Sequence, residues 1–93
     1  MESLQQLERF IDEHDIDGSA YFTDPDYVTA IIGMTEDNRF VYDYHKMVDY
    51  LMEKDGMDVT DAMEFIDYNT IRAIPYMGEK APVVVNTDII KEV

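Results

Sequence analysis

Near the N-terminus, apolar side chains recur every three or four positions, which is the spacing of one face of a helix. Ser3 precedes this stripe and Gln6 stands three residues further on, the pattern of a capping box. We therefore predict a first helix that ends near His14, with Gly18 available for a left-handed turn at or after its end. The stripe consists of Leu4, Leu7, Phe10 and Ile11.

The apolar period changes to two after this helix, which favours β-strands. Residues 27–34 are rich in β-branched side chains and their apolar positions alternate. Residues 36–39 are turn-forming and lead into a second alternating segment, residues 40–44, so the two segments predict a β-hairpin. Asp24 and Pro25 mark a loop before it. The alternating positions of the first segment are Val28, Ala30, Ile32 and Met34.

Helical spacing returns after the hairpin and predicts two more helices. Asp43 is the expected cap of a helix that Gly56 ends. Asp58 or Thr60 caps the next one, and Pro75 ends it. The predicted inner faces are Met47, Val48, Leu51 and Met52 on the second helix, and Ala62, Met63, Phe65, Ile66, Asn69 and Ala73 on the third.

A short strand over residues 81–85 follows and is expected to join the hairpin. The order of elements predicts an α+β fold, a small and mostly antiparallel sheet (a β-hairpin plus a C-terminal strand) packed against about three helices. No linker or repeat interrupts the chain, so residues 1–93 are predicted to form a single acidic α+β domain. Residues 87–93 could extend the strand, form a helical turn or dock on another copy.

The composition points to the cytoplasm. The chain has no cysteine, which excludes disulfides and thiolate zinc sites. Its first residues include the acidic Glu2, whereas a signal peptide begins with basic residues. No apolar run approaches the roughly 20 residues of a membrane-spanning helix.

Charge is the extreme property of the chain: 21 Asp and Glu against 7 Lys and Arg give a net charge of −14. This charge opposes direct binding of nucleic acid or anionic membranes and favours a basic protein partner. The carboxylates form two bands along the sequence. One band is Asp55, Asp58, Asp61, Glu64 and Asp67, and the other is Glu13, Asp15, Asp17, Asp24 and Asp26, with Glu8 and Asp12 just before it.

Residues 61, 64 and 67 would project carboxylates about 5 to 10 Å apart along a helix, comparable with the spacing of phosphates on nucleic acid. The alternative is a solvated helix face whose acidity serves solubility. Tyrosines among the carboxylates would suit arginine side chains from a partner, because an aromatic ring adds cation–π contact to charge pairing. The tyrosines expected to be partly exposed are Tyr21, Tyr27, Tyr50, Tyr68 and Tyr76.

Catalytic patterns are absent from the sequence. The two histidines, His14 and His45, form no ligand-spaced cluster, and neither a nucleophile elbow nor a phosphate-binding loop can be drawn. We therefore predict no enzyme, no catalytic residue and no cofactor.

Residues 13–24 align loosely with the calcium-binding loop of an EF-hand. Gly18 occupies the sixth position, where that loop turns sharply. Against this reading, the loop begins with Glu, ends with the shorter Asp, and is followed by Pro25 where a helix should begin. The oxygen ligands would be Glu13, Asp15, Asp17 and Asp24, and the alternative is an acidic loop that caps a helix.

Two segments carry a resemblance to a known family. They are D-Y-N-T-I-R-A-I-P-Y-M-G at 67–78, followed by A-P-V at 81–83, and M-T-E-D-N-R-F-V-Y-D-Y at 34–44. Over residues 28–86 the chain resembles a family of short, uncharacterised acidic proteins of Gram-positive bacteria and their mobile elements. The resemblance implies no catalytic residue. Its mobile-element setting suggests an anti-CRISPR or other anti-defence inhibitor, of the kind that occupies the basic nucleic-acid channel of a nuclease.

These observations favour a non-enzymatic binding protein whose acidic surface docks on a basic partner, as a nucleic-acid mimic that inhibits a CRISPR-type nuclease. One alternative is a regulatory or structural module that forms a homodimer through sheet edges and exposed tyrosines, its acidity serving only solubility. Another is a calcium-responsive protein that uses the loop at 13–24.

Overall fold

The computed structural model describes residues 2–87 and confirms the predicted α+β class. Three helices pack with a three-stranded sheet. The elements are α1 (Leu4–His14), a 3₁₀ turn (Val28–Ala30), β1 (Ile31–Met34), β2 (Phe40–Asp43), α2 (Tyr44–Asp55), α3 (Val59–Phe65), a π-helical segment that continues it (Ile66–Ile71), a second 3₁₀ turn (Ile74–Tyr76) and β3 (Val83–Val85).

The sheet has the order β1-β2-β3 and is mixed. β1 and β2 form the predicted antiparallel hairpin, and β3 joins the sheet as predicted but runs parallel to β2, with Val41 opposite Val83. A parallel neighbour cannot be reached by a tight turn, so the chain crosses over through α2 and α3. Both helices therefore lie between β2 and β3 in the chain order.

Helix α1 begins and ends where the sequence predicts. The Ser3 hydroxyl accepts a hydrogen bond from the Gln6 backbone N–H at 3.2 Å, and the Gln6 side chain accepts one from the Glu2 N–H at 2.7 Å. The left-handed turn after His14 is made by Asp15, with φ of 55°, and not by Gly18. Aspartate tolerates this conformation better than most residues, so a glycine is not required there.

The first predicted strand is only half formed. Residues 28–30 make a 3₁₀ turn because Tyr27 takes a left-handed conformation, with φ of 49°, and the Asp26 carboxylate accepts a hydrogen bond from the Val28 N–H at 3.2 Å. A bulge between Ile31 and Gly33 then shifts the pairing with β2. Ile32, one of the alternating apolar positions of the predicted strand, lies at this bulge and is 44% exposed.

Helix α3 changes its register through the π-helical segment. Ala62 and Ile66 are buried as predicted, but the next inward residue is Thr70 rather than Asn69. A π-helix has more residues per turn than an α-helix, which moves the inward position one residue along the chain. The predicted inner residues that are exposed instead are Met63, Asn69 and Ala73 on this helix, and Met52 on α2.

Buried aromatic rings connect the loop at 15–27 to the sheet and helices. The Phe22 ring lies 4.8 Å from the Tyr42 ring and 5.6 Å from the Tyr27 ring, measured between centroids. The Tyr42 hydroxyl accepts a hydrogen bond from the Phe22 N–H at 3.3 Å, and the Tyr27 hydroxyl pairs with the Thr70 hydroxyl at 2.8 Å. These contacts fix the path of a loop that has little regular structure.

Asp43 joins the sheet to the helices and is buried. It caps α2 as predicted, its carboxylate accepting a hydrogen bond from the Lys46 N–H at 3.1 Å. The other carboxylate oxygen accepts one from the Thr87 hydroxyl at 2.8 Å, just beyond β3. Burial alone would raise the pKa of Asp43, but the hydrogen bonds from Thr87 and Lys46 outweigh it and hold the pKa below its ordinary value.

Candidate functional site

An acidic cleft of about 410 Å³ lies between α1 and the loop that follows it. Glu8 and Asp12, one turn apart on α1, form one side, and Asp17 and Tyr21 from the loop form the other. Buried Ile11 supplies an apolar wall. Three carboxylates therefore surround one aromatic ring and one aliphatic side chain.

The Tyr21 hydroxyl belongs to this cleft as a hydrogen-bond donor. It donates to Glu8 Oε2 at 3.5 Å. Burial and the negative charge of Glu8 raise the pKa of Tyr21, so the phenol stays protonated at neutral pH. The ring therefore adds no charge of its own and orients a neighbouring carboxylate.

A second tyrosine, Tyr50 on α2, lies where the two acidic bands of the sequence meet. Burial raises the pKa of Tyr50 to about 12, helped by a hydrogen bond to Asp26 and by the charges of Asp26 and Asp55. The Tyr50 ring also lies 5.5 Å from that of Tyr27. Asp26 comes from one predicted band and Asp55 from the other, so the fold brings members of both bands to one tyrosine.

The buried hydroxyl of Tyr42 lies near both of these places. Burial raises the pKa of Tyr42 to about 12, and smaller contributions come from Asp26 and from Tyr21. Asp26 and Tyr21 thus both lie within electrostatic reach of one hydroxyl. We refer to the combined set as the acidic tyrosine surface, which consists of Glu8, Asp12, Asp17, Tyr21, Asp26, Tyr50 and Asp55.

The rest of the N-terminal acidic band lies outside this surface. Asp24 lines a neighbouring cleft of about 210 Å³ together with Thr70 and Met77, and this cleft meets the first one at Tyr21. Glu13 follows Asp12 directly on α1, so its side chain projects about 100° around the helix from that of Asp12, which lines the cleft. Asp15, exposed, forms the end of α1.

The acidic residues of α3 do not form one row. Asp58 caps the helix, its carboxylate accepting a hydrogen bond from the Asp61 N–H at 2.8 Å. Asp67 accepts one from the Tyr44 hydroxyl at 3.1 Å. Asp61 and Asp67 are six residues apart, which separates their directions by roughly 120° around a helix. Glu64 is exposed between them.

Tyr68 already has a cation on one side of its ring. The residue is 60% exposed, and the guanidinium carbon of Arg72 lies 4.7 Å from the ring centroid. This contact is a cation–π pair within the chain, of the kind that sequence analysis expected Tyr68 to make with a partner. A partner arginine would have to use the opposite face of the ring or displace Arg72.

Four members of the acidic tyrosine surface, Glu8, Asp12, Tyr21 and Tyr50, lie outside the site predicted from the sequence. The spacing of Glu8 and Asp12, four residues apart on a predicted helix, was the available signal for one side of the cleft. Tyr21 and Tyr50 were recognised as tyrosines that a partner could reach, but nothing in the sequence places them beside particular carboxylates.

The described residues do not assemble a metal site. Within residues 2–87, no group of three or more His, Asp or Glu side chains is arranged to hold a metal ion. The calcium hypothesis for Glu13, Asp15, Asp17 and Asp24 therefore has no support in the geometry. Over the same part of the chain, every helix is too short or too polar to cross a membrane.

Comparisons of the chain with protein-family models, with curated proteins and with solved structures found no match. The resemblance to acidic proteins of mobile elements therefore stays a prediction from the sequence.

Proposed function

We propose that this protein is a non-enzymatic binding protein that docks on a basic protein partner through its acidic tyrosine surface. The observation that carries the proposal is the cleft in which Glu8, Asp12 and Asp17 surround Tyr21. A guanidinium group can pair with carboxylates and stack on a tyrosine ring at once, which makes arginine the side chain that fits best.

The aliphatic wall of the cleft supports the same choice. Ile11 offers an apolar contact for the methylene groups of an arginine or lysine whose charged end meets the carboxylates. The long hydrogen bond from Tyr21 to Glu8, 3.5 Å between the oxygens, favours one orientation of the carboxylate before the partner arrives, so less side-chain freedom is lost on binding. The net charge of −14 adds long-range attraction for any basic surface.

The specific form of the proposal is mimicry of nucleic acid. The carboxylates would occupy the phosphate sites of a nuclease, and the resemblance to acidic proteins of mobile elements favours a CRISPR-type nuclease. Its support is the charge of the chain and the meeting of Asp26 and Asp55 at Tyr50, which spreads the acidic tyrosine surface beyond a single cleft.

The decisive experiment removes three charges from the cleft in the triple variant Glu8→Gln, Asp12→Asn, Asp17→Asn. The matched control removes three exposed charges elsewhere, as Glu36→Gln, Glu53→Gln, Glu79→Gln. Binding of a deca-arginine peptide is measured by calorimetry at low and high salt. We expect the cleft variant to bind about tenfold more weakly, which is about 1.4 kcal/mol, and the control to lose much less. Equal losses would contradict recognition by the cleft.

Inhibition is tested with the same variants. The protein is added to a purified CRISPR-type nuclease and its guide RNA before the target DNA, and cleavage is followed over time. The mimicry proposal expects the wild type and the control variant to slow cleavage and the cleft variant to lose this effect. Binding of deca-arginine without inhibition of cleavage would contradict the mimicry proposal and would favour a basic partner that is not this nuclease.

Self-association is the second candidate, and two exposed strand edges favour it. β1 and β3 are the edges of the sheet that the described residues form, and Ile32 on β1 is 44% exposed. Edge strands that lack charge invite pairing with another chain. Light scattering at high protein concentration tests this: a dimer that salt leaves unchanged supports it, and a monomer contradicts it.

A further inference from the structure

We propose that an exposed flank of α3 docks an amphipathic, basic helix of a partner protein. This surface is separate from the acidic tyrosine surface and combines an apolar stripe with nearby carboxylates. It lies beside the buried face of α3, because Met63 follows the buried Ala62 directly and precedes the buried Ile66 by three residues.

The apolar stripe runs along α3 at intervals of four residues. Val59 is 50% exposed and Met63 is 42% exposed, one turn apart on the helix. Asp67 and Ile71 follow at the same interval, and the π-helical segment keeps a four-residue interval nearly in line. Two large apolar side chains are therefore left without cover along one line of the helix.

The stripe ends at a cavity of about 250 Å³. Asp67 and Ile71 line it from the helix, Tyr44 from the start of α2 and Val84 from β3. The Asp67 carboxylate is held there by the hydrogen bond from the Tyr44 hydroxyl, with 3.1 Å between the two oxygens. Such a cavity would take one apolar side chain and place a carboxylate beside it.

Charge selects the kind of helix that fits. Asp58 and Glu64 are exposed close to the stripe, and Asp61 is exposed on the opposite side of α3. Between Lys54 and Arg72 the chain has no lysine or arginine, so these carboxylates have no basic neighbour along the sequence. A helix with apolar residues at intervals of three and four and with lysine or arginine on its flanks complements both properties, as in other helix-in-groove contacts.

The test uses three synthetic peptides and the full-length protein. The first is a leucine and lysine peptide with helical periodicity, the second has the same composition in strict alternation, and the third is oligolysine. Their binding is measured by fluorescence anisotropy at low and high salt. We expect the helical peptide to bind about tenfold more tightly than the other two and to keep most of this advantage at high salt, because part of its contact is apolar. Equal binding of all three would overturn the proposal.

Variants locate the contact. Met63→Gln keeps the length and helix propensity of the side chain and should weaken binding of the helical peptide about tenfold. Met52→Gln is the matched control, because Met52 is a similarly exposed methionine on α2, and it should leave binding unchanged. Thermal unfolding of both variants checks that they remain folded. An unchanged affinity in Met63→Gln would also overturn the proposal.

The same materials separate this inference from the proposed function. The triple variant of the cleft should bind the helical peptide as the wild type does, whereas Met63→Gln should bind deca-arginine as the wild type does. If Met63→Gln abolishes helical-peptide binding while cleft variants leave deca-arginine binding intact, the docking helix stands and the acidic tyrosine surface fails. If Met63→Gln leaves helical-peptide binding intact while the cleft variant loses deca-arginine binding, only the proposed helix-docking surface is contradicted.

Discussion

The hydrogen bond between Tyr27 and Thr70 gives the sharpest test of the fold. Tyr27 is fully buried, Thr70 is nearly so, and their hydroxyl oxygens are 2.8 Å apart. In Tyr27→Phe the Thr70 hydroxyl keeps its buried position but loses this partner. A buried polar group without its partner costs about 1–3 kcal/mol, and in a domain of this size each 1 kcal/mol lowers the melting temperature by about 4–8 °C.

The assay is urea unfolding followed by far-ultraviolet circular dichroism, applied to Tyr27→Phe, Thr70→Val and the double variant. Replacing both hydroxyls removes the pair without leaving one partner behind, so the double variant should lose less stability than the sum of the single losses, by about 0.5–3 kcal/mol. Tyr68→Phe, at an exposed ring, is the control and should change stability by less than about 0.5 kcal/mol. Additive losses within about 0.3 kcal/mol would refute the hydrogen bond between Tyr27 and Thr70.

Three further predictions follow from the same contacts. Asp43→Asn should lower the free energy of unfolding at pH 7 by about 1–2 kcal/mol. Because the folded pKa of Asp43 is lowered, its stabilisation is complete above the unfolded pKa of about 3.9 and is lost as pH falls through the folded pKa, so the difference from wild type should shrink at pH 3 in urea unfolding. Tyr50→Phe should remove from a spectroscopic titration one phenol that ionises at about pH 12, and a loss near pH 10 would contradict the partly buried, acidic surroundings of Tyr50. Since that folded pKa is raised, the stabilisation tied to the protonated phenol should fall as pH rises from about 10 towards 12. Leu51→Ala, in the core, should cost about 2–5 kcal/mol in thermal or urea unfolding, whereas Met52→Ala, at the neighbouring exposed position, should cost much less.

Local signals in the sequence predicted the helix ends well. Asp43 and Asp58 cap α2 and α3, and Gly56 ends α2 with φ of 68°, because each depends only on a side chain and the few backbone groups next to it. The second strand of the hairpin and its turn are local in the same sense. Such features need no knowledge of the rest of the chain.

Features set by tertiary contacts could not be predicted. The first strand begins late because Tyr27 turns into the core to meet Thr70, 43 residues further on. The π-helical segment at 66–71 follows no period that the sequence displays, so Asn69 was predicted to face inward and Thr70 was not. The parallel direction of β3 likewise depends on how the two-helix crossover returns to the sheet.

The candidate site was predictable in chemistry and only partly in position. An excess of acid with interspersed tyrosine is visible in the sequence, and Asp17, Asp26 and Asp55 belong to the surface that the fold assembles. The grouping of these carboxylates is not visible in the sequence, because buried aromatic rings hold the loop at 15–27 in place and no repeating pattern marks its path. The carboxylates of α3 do not form the expected row, because residues three apart on a helix differ in direction by about 60°.

The central claim is that these carboxylates and tyrosines are arranged for recognition of a basic partner. It is tested most directly by titrating the ¹⁵N-labelled protein with deca-arginine and recording amide chemical shifts. The account predicts that the largest shifts fall around the cleft of Glu8, Asp12, Asp17 and Tyr21, with a second group near Tyr50. Shifts of similar size at acidic positions all over the molecule would contradict it.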